Sequence, residues 1–193
     1  MATPAFGGDL RPFVDIRRKI RRSSANPAAA LRYSARLNLK MPMTELQVGD
    51  QTVRYDREAT AAIYGAIEHG GAEKCGCTFC KNFAMQRNLV YPASFRTLLE
   101  QLGIDPDKEV EVFEYGPAED GCHIYGGWFY FVGEMVTWGE RNASAPDAHQ
   151  FEFFFTSVGP DAPAFRGRPR LTIEFTTHVK WVLPDPPQYK TRT

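Results

Sequence analysis

The stretch His123-Ile-Tyr-Gly-Gly-Trp-Phe-Tyr-Phe-Val132 decides the fold. Its aromatic and β-branched composition is that of a strand. Two further runs of the same kind follow, QFEFFFTS at 150–157 and LTIEFTTHVKWVL at 171–183. The segments between them, 139–148 and 159–169, concentrate Gly, Pro, Asn and Asp and read as surface loops. Strands joined without helical connections make a mainly antiparallel sheet. Trp128, Phe129, Tyr130 and Phe131, with Phe151, Phe153, Phe154 and Phe155, are expected as the two faces of that sheet. They are not expected to stack on bases, because no basic stripe in the body interleaves with them. Gly126-Gly127 lacks the strand, turn and helix of a phosphate loop, and is expected to mark a bend or bulge.

Toward the N-terminus the periodicity changes. ELQVGDQTVRY at 45–55 alternates, turns at Gly49-Asp50 and resumes, which predicts a hairpin. Asp56 then predicts an N-cap and a helix over 57–68, stopped by Gly70-Gly71. A short helix is expected over 81–88 with Phe83 inward. The next starts at Pro92, carries Phe95, Leu98, Leu99 and Leu102 on one face, and ends at Gly103. Asp105-Pro106-Asp107 turns the chain into a strand over 109–115. The fold class is therefore α+β: a mainly antiparallel sheet in the second half and two or three helices in the first. Leu98, Leu102, Trp128, Phe153 and Trp181 are expected in one core.

With 193 residues and 43% apolar content, the chain holds one domain that does not need disulfides to fold. No apolar run approaches the ~20 residues of a membrane span. The zero net charge hides an asymmetry: residues 1–40 carry nine Lys and Arg against two Asp, and the remainder carries the opposite excess. Residues 1–40 are expected as a basic, disordered extension, with Met41 or Met43 as the functional start. Residues 41–184 form the single domain and 185–193 a Pro-rich tail. Nucleic acid is a candidate partner only through the basic arm, and a protein partner is the alternative.

Chemistry concentrates in KCGCTFCKNF at 74–83. Three of four cysteines fall within six positions, with no secretory signal before them, which fits a reducing, cytoplasmic setting where close thiols bind metal or do redox work. Cys77-x-x-Cys80 lets two thiolates reach one ion across a tight turn, and Cys75 supplies a third. Zinc in a closed structural site takes four ligands. Cys122, His123, His69, His149 and His178 are available, and Cys122 or His123 is preferred because the pair opens a core strand. The alternative is a thiol or redox protein using Cys77 and Cys80, with Cys80 activated at a helix N-terminus. Three buried, inert cysteines rank third, since Glu73, Lys74 and Lys81 surround them. Glu109, Glu111, Glu114, Glu119 and Asp120 read as a solvated acidic edge. The pattern assigns no reaction.

CGCTFCKNF at 75–83, LGIDP at 102–106, YGGWFYFVG at 125–133 and WVLP at 181–184 together resemble a family of uncharacterised bacterial proteins built around C-x-C-x-x-C-x-N-[FY]. The likeness covers roughly residues 43–184. It implies that Cys75, Cys77, Cys80, Asn82 and Phe83 form the signature, and it carries no substrate with it.

Overall fold

A computed structural model of the chain describes residues 43–139, 143–144, 150–187 and 189. The expectations for residues 1–40 and for His149 lie outside the described residues. The hairpin forms as expected from β1 (Thr44–Val48) and β2 (Gln51–Tyr55), with Gly49 taking the positive φ of +56° that a two-residue turn needs at its first position. Helix α1 (Arg57–Ala66) is capped by Asp56, whose side chain accepts the Ala59 N–H at 2.9 Å. It ends earlier than the pattern suggests. Gly70-Gly71 does not stop it but opens a five-residue helix, α2 (Gly71–Cys75). Close approach explains this glycine pair: a Cβ would stand 2.6 Å from the Asp107 carbonyl oxygen at Gly70 and 2.5 Å from that of Val110 at Gly71.

Helix α3 (Thr78–Val90) extends the expected 81–88 helix in both directions, and α4 (Ala93–Leu102) follows with Pro92 at its N-cap. Strands β3 (Glu111–Pro117), β4 (His123–Thr137), β5 (Ala143–Ser144), β6 (Phe151–Thr156) and β7 (Arg170–Val179) complete an antiparallel sheet. Its order is β1-β2-β4-β7-β6-β5, with β3 also on β4. The helices precede most of the strands, so the α+β arrangement is the one expected. None of the described helices is long and apolar enough to cross a membrane.

Strands β2 and β3 share one edge of β4, β3 along its first half and β2 along its last. Between them the edge of β4 would be left with unpaired backbone groups, a costly state in a buried strand. Helix α1 fills the gap. The Tyr64 hydroxyl donates to the Tyr130 carbonyl at 3.0 Å and accepts the Tyr130 N–H at 3.1 Å. The Val132 N–H donates to Thr60 Oγ1 at 3.0 Å, and the Val132 carbonyl accepts from the Asp56 N–H at 2.9 Å.

The register separates the two sheet faces. Tyr125, Phe129 and Phe131 on β4, Ile173 and Phe175 on β7, and Phe151, Phe153 and Phe155 on β6 face the helices. There Phe83, Tyr91, Phe95, Leu98, Leu99 and Leu102 meet them, with Phe95 centred 4.7 Å from Phe151 and 5.1 Å from Phe153. Two expected core residues lie elsewhere. Trp128 has the opposite parity on β4 and packs on Phe113 at 4.6 Å, while Trp181 falls beyond the end of β7 and is half-buried. Gly126-Gly127 is no bulge, since pairing with β7 runs through it unbroken. The missing side chains admit the rings of Phe113 and Tyr115 on one face and Phe175 on the other. The 159–169 segment is more than a surface loop: its 3-10 turn Pro163–Phe165 lays a buried Phe165 against Tyr130 and Tyr64.

Candidate metal centre

The cysteines sit at the junction of two helices. Cys75 ends α2, Gly76 reverses the chain in the left-handed region at φ +63°, and Cys77 caps α3. Nothing crowds Gly76, so its role is conformational. The Cys77 sulfur takes the place of a capping oxygen, accepting the Cys80 N–H at 3.4 Å. Cys80 stands in the first turn of α3, where the helix favours negative charge. Tyr125 fixes the turn from below, its hydroxyl donating to the Phe79 carbonyl at 3.1 Å.

The sulfurs of Cys75, Cys77 and Cys80 all lie within 4.8 Å of one another and form a group that could hold a metal ion. Their environments differ. Cys75 and Cys77 are exposed and Cys80 is buried. Hydrogen bonding from the Cys77 backbone, and then from the Cys77 and Cys80 thiols, pulls the Cys75 thiol below its ordinary range. Burial, followed by the same sulfur contacts, pushes Cys80 far above it. The Cys80 thiol donates to the Val112 carbonyl at 3.7 Å, the contact of a protonated sulfur. An ion entering this group therefore has to displace the Cys80 proton.

Cys122 and His123 do not belong to the group. Cys122 is half-buried, its thiol pushed up by burial and by Asp120. His123 Nδ1 lies 2.8 Å from Glu114 Oε1 and 3.2 Å from the Tyr189 hydroxyl, and its ring rests against Trp181 at 5.2 Å. The other described histidines also meet carboxylates, His69 at Glu73 (3.1 Å) and His178 at Asp120 (2.9 Å).

Two arrangements around the cysteines carried no sequence signal for their role. Asn82 is fully buried, and its amide reads the backbone beyond β7: Nδ2 donates to the Lys180 carbonyl at 3.0 Å and Oδ1 accepts the Val182 N–H at 2.8 Å. Asn82 thus clamps the WVLP segment onto the cysteine-bearing helix. Glu109, expected on a solvated edge, is 1% exposed and paired with Arg87 through two N–H groups, with the Tyr91 hydroxyl donating at 3.1 Å. Burial pushes its carboxyl above the ordinary range against the pull of Arg87. Arg87 on α3 also reaches Glu73 on α2 at 3.4 Å, and the Glu109 carbonyl accepts the Gly71 N–H at 2.6 Å. This network ties the helix carrying Cys75 to the helix carrying Cys77 and Cys80. A run of five acidic residues could not show which one turns inward.

Comparison with protein-family models, with curated proteins and with solved structures returned no match.

Proposed function

We propose that Cys75, Cys77 and Cys80 bind a single Zn²⁺ that fixes the α2–α3 junction, in a structural or interaction-supporting role. The mutual approach of the three sulfurs within 4.8 Å carries this reading. Around a tetrahedral ion with Zn–S bonds of ~2.3 Å, thiolates stand about 3.8 Å apart. Closing this triangle therefore takes side-chain adjustment, not rearrangement of helices. A multi-iron cluster spreads its cysteines over separate metal atoms and suits so tight a triangle less well. The fourth position falls to a donor outside the group: Cys122 or His123 brought in on binding, water, or a residue of a protein partner. Exposure of Cys75 and Cys77 favours the last two.

The test is elemental analysis of freshly purified protein beside thiol titration with and without chelator. One zinc per chain is expected, with three thiols protected until chelation. Removing the ion should lower the thermal midpoint and speed amide exchange over 71–80, because α2 has only five residues and depends on its attachments. Cys122→Ser and His123→Ala then report the fourth ligand. Metal-free protein with unchanged stability and three freely titrating thiols would sink the zinc reading.

A redox role for Cys77 and Cys80 is the second reading. Its support is the mutual approach of the Cys77 and Cys80 sulfurs. Against this reading, burial pushes the Cys80 thiol up, where activation at the helix N-terminus would lower it. It requires metal-free protein and a reversible Cys77–Cys80 disulfide, seen by mass spectrometry after mild oxidation.

A further inference from the structure

We propose that the cleft between the α1–α2 connection, residues 108–110 and the 3-10 turn Pro163–Phe165 binds a small organic monoanion: a carboxylate on a compact apolar body. The cleft encloses about 330 Å³, at the small end of the range for small-molecule sites. Ile67, Val110, Pro163 and Phe165 give it apolar walls, and Phe165 is held rigidly by its packing against Tyr64 and Tyr130.

The charges around the cleft do not balance internally. Of its two carboxylates, Glu109 is taken by Arg87 and Asp161 by Arg166. Lys108 lies on Asp105 at 3.2 Å and donates to the Tyr64 carbonyl at 3.0 Å, so it is fixed in place. His69 is held by Glu73. Lys74 is the lining cation with no acidic partner among the described residues, and it is exposed. A single ammonium beside apolar walls suits one carboxylate. A doubly charged phosphate is disfavoured, because the lining offers one unpaired cation and would leave half of its charge unmet.

No cysteine lines the cleft, but Lys74 precedes Cys75 on α2, so binding is measured with and without the cysteines. The test is a ¹H–¹⁵N titration of the full chain with benzoate as probe, repeated on Cys75→Ser/Cys77→Ser protein. Saturable shifts are expected at Ile67, Lys74, Val110 and Ala164 in the parent chain, and at Ile67, Val110 and Ala164 in the cysteine variant. Lys74→Met, at an exposed position that leaves the fold intact, should weaken binding about tenfold, the loss expected for one hydrogen bond to a charged group. Lys81→Met, outside the cleft, should not change it. Rising salt should weaken binding, and inorganic phosphate should not compete. Absence of shifts at millimolar benzoate, full affinity in Lys74→Met, or equal competition by phosphate would each overturn the proposal.

Discussion

Replacing Tyr64 by Phe removes one oxygen from the point where helix substitutes for strand. That hydroxyl serves both the N–H and the C=O of Tyr130 in a gap between β3 and β2. Tyr64 is 2% exposed and Tyr130 fully buried, and burial pushes the Tyr64 phenol far above its ordinary range, so it remains a neutral donor and acceptor. No strand can move in to replace it, since α1 itself occupies the gap. Each buried backbone group left without a partner costs ~1–3 kcal/mol, so the change should cost about 2 to 4 kcal/mol after modest relaxation. For a domain of this size that lowers the thermal midpoint by roughly 4 to 16 °C. Urea denaturation should show the loss at unchanged slope, and native-state exchange should show early opening at the Tyr130 amide. Tyr115→Phe, at a side chain 60% exposed, is the control and should stay within ~0.5 kcal/mol of the parent. A Tyr64→Phe protein of parental stability with a protected Tyr130 amide would refute the reasoning.

Leu98→Ala should cost ~2–5 kcal/mol by denaturant titration, since Leu98 is 8% exposed beneath the aromatic sheet face. Glu109→Gln keeps the shape but strands Arg87 in the interior. A loss of ~3–5 kcal/mol is expected, with Glu73→Gln, half-exposed at the other end of the network, much milder. If the two variants prove equal, the network is not organised around Glu109. The hydrogen bond from His178, then the Cys122 N–H, holds the Asp120 carboxyl down to about 2. A depressed carboxyl contributes stability above its unfolded value near ~4 and loses it as pH falls toward the folded one. His178→Ala should therefore flatten the stability profile between about pH 4 and pH 2, and an unaltered acid limb would count against the contact.

Elements with one strong period were legible in the sequence. The stripe Phe95, Leu98, Leu99 and Leu102 is buried as its spacing implies, the Gly49 hairpin forms, and the strand-rich second half makes the antiparallel sheet. Ambiguity enters where both parities of a strand are apolar. Nothing in a run such as WFYF says which side the helices cover, so the expectation for Trp128 falls on the wrong face. Gly70-Gly71 and Gly126-Gly127 look like breaks along the chain, but their reason is a neighbour distant in sequence: the 107–110 backbone in one case, aromatic rings in the other. In the site, cysteine spacing is enough to bring three sulfurs together, because a turn of six residues is local geometry. The partners of Asn82 and Glu109 are tertiary, and local pattern does not encode them.

The clamp on Asn82 also sets an order in time. Its partners, Lys180 and Val182, lie 98 and 100 residues further along the chain. Translation at ~5–20 residues per second separates the two by roughly 5 to 20 s. For that interval Asn82 lacks both of its backbone partners, and the helix that follows the three thiols is without its clamp to Lys180 and Val182. A cysteine turn that is local in sequence is thus held to the sheet through residues made 98 and 100 positions later, while Cys75 and Cys77 stay exposed once the clamp has closed.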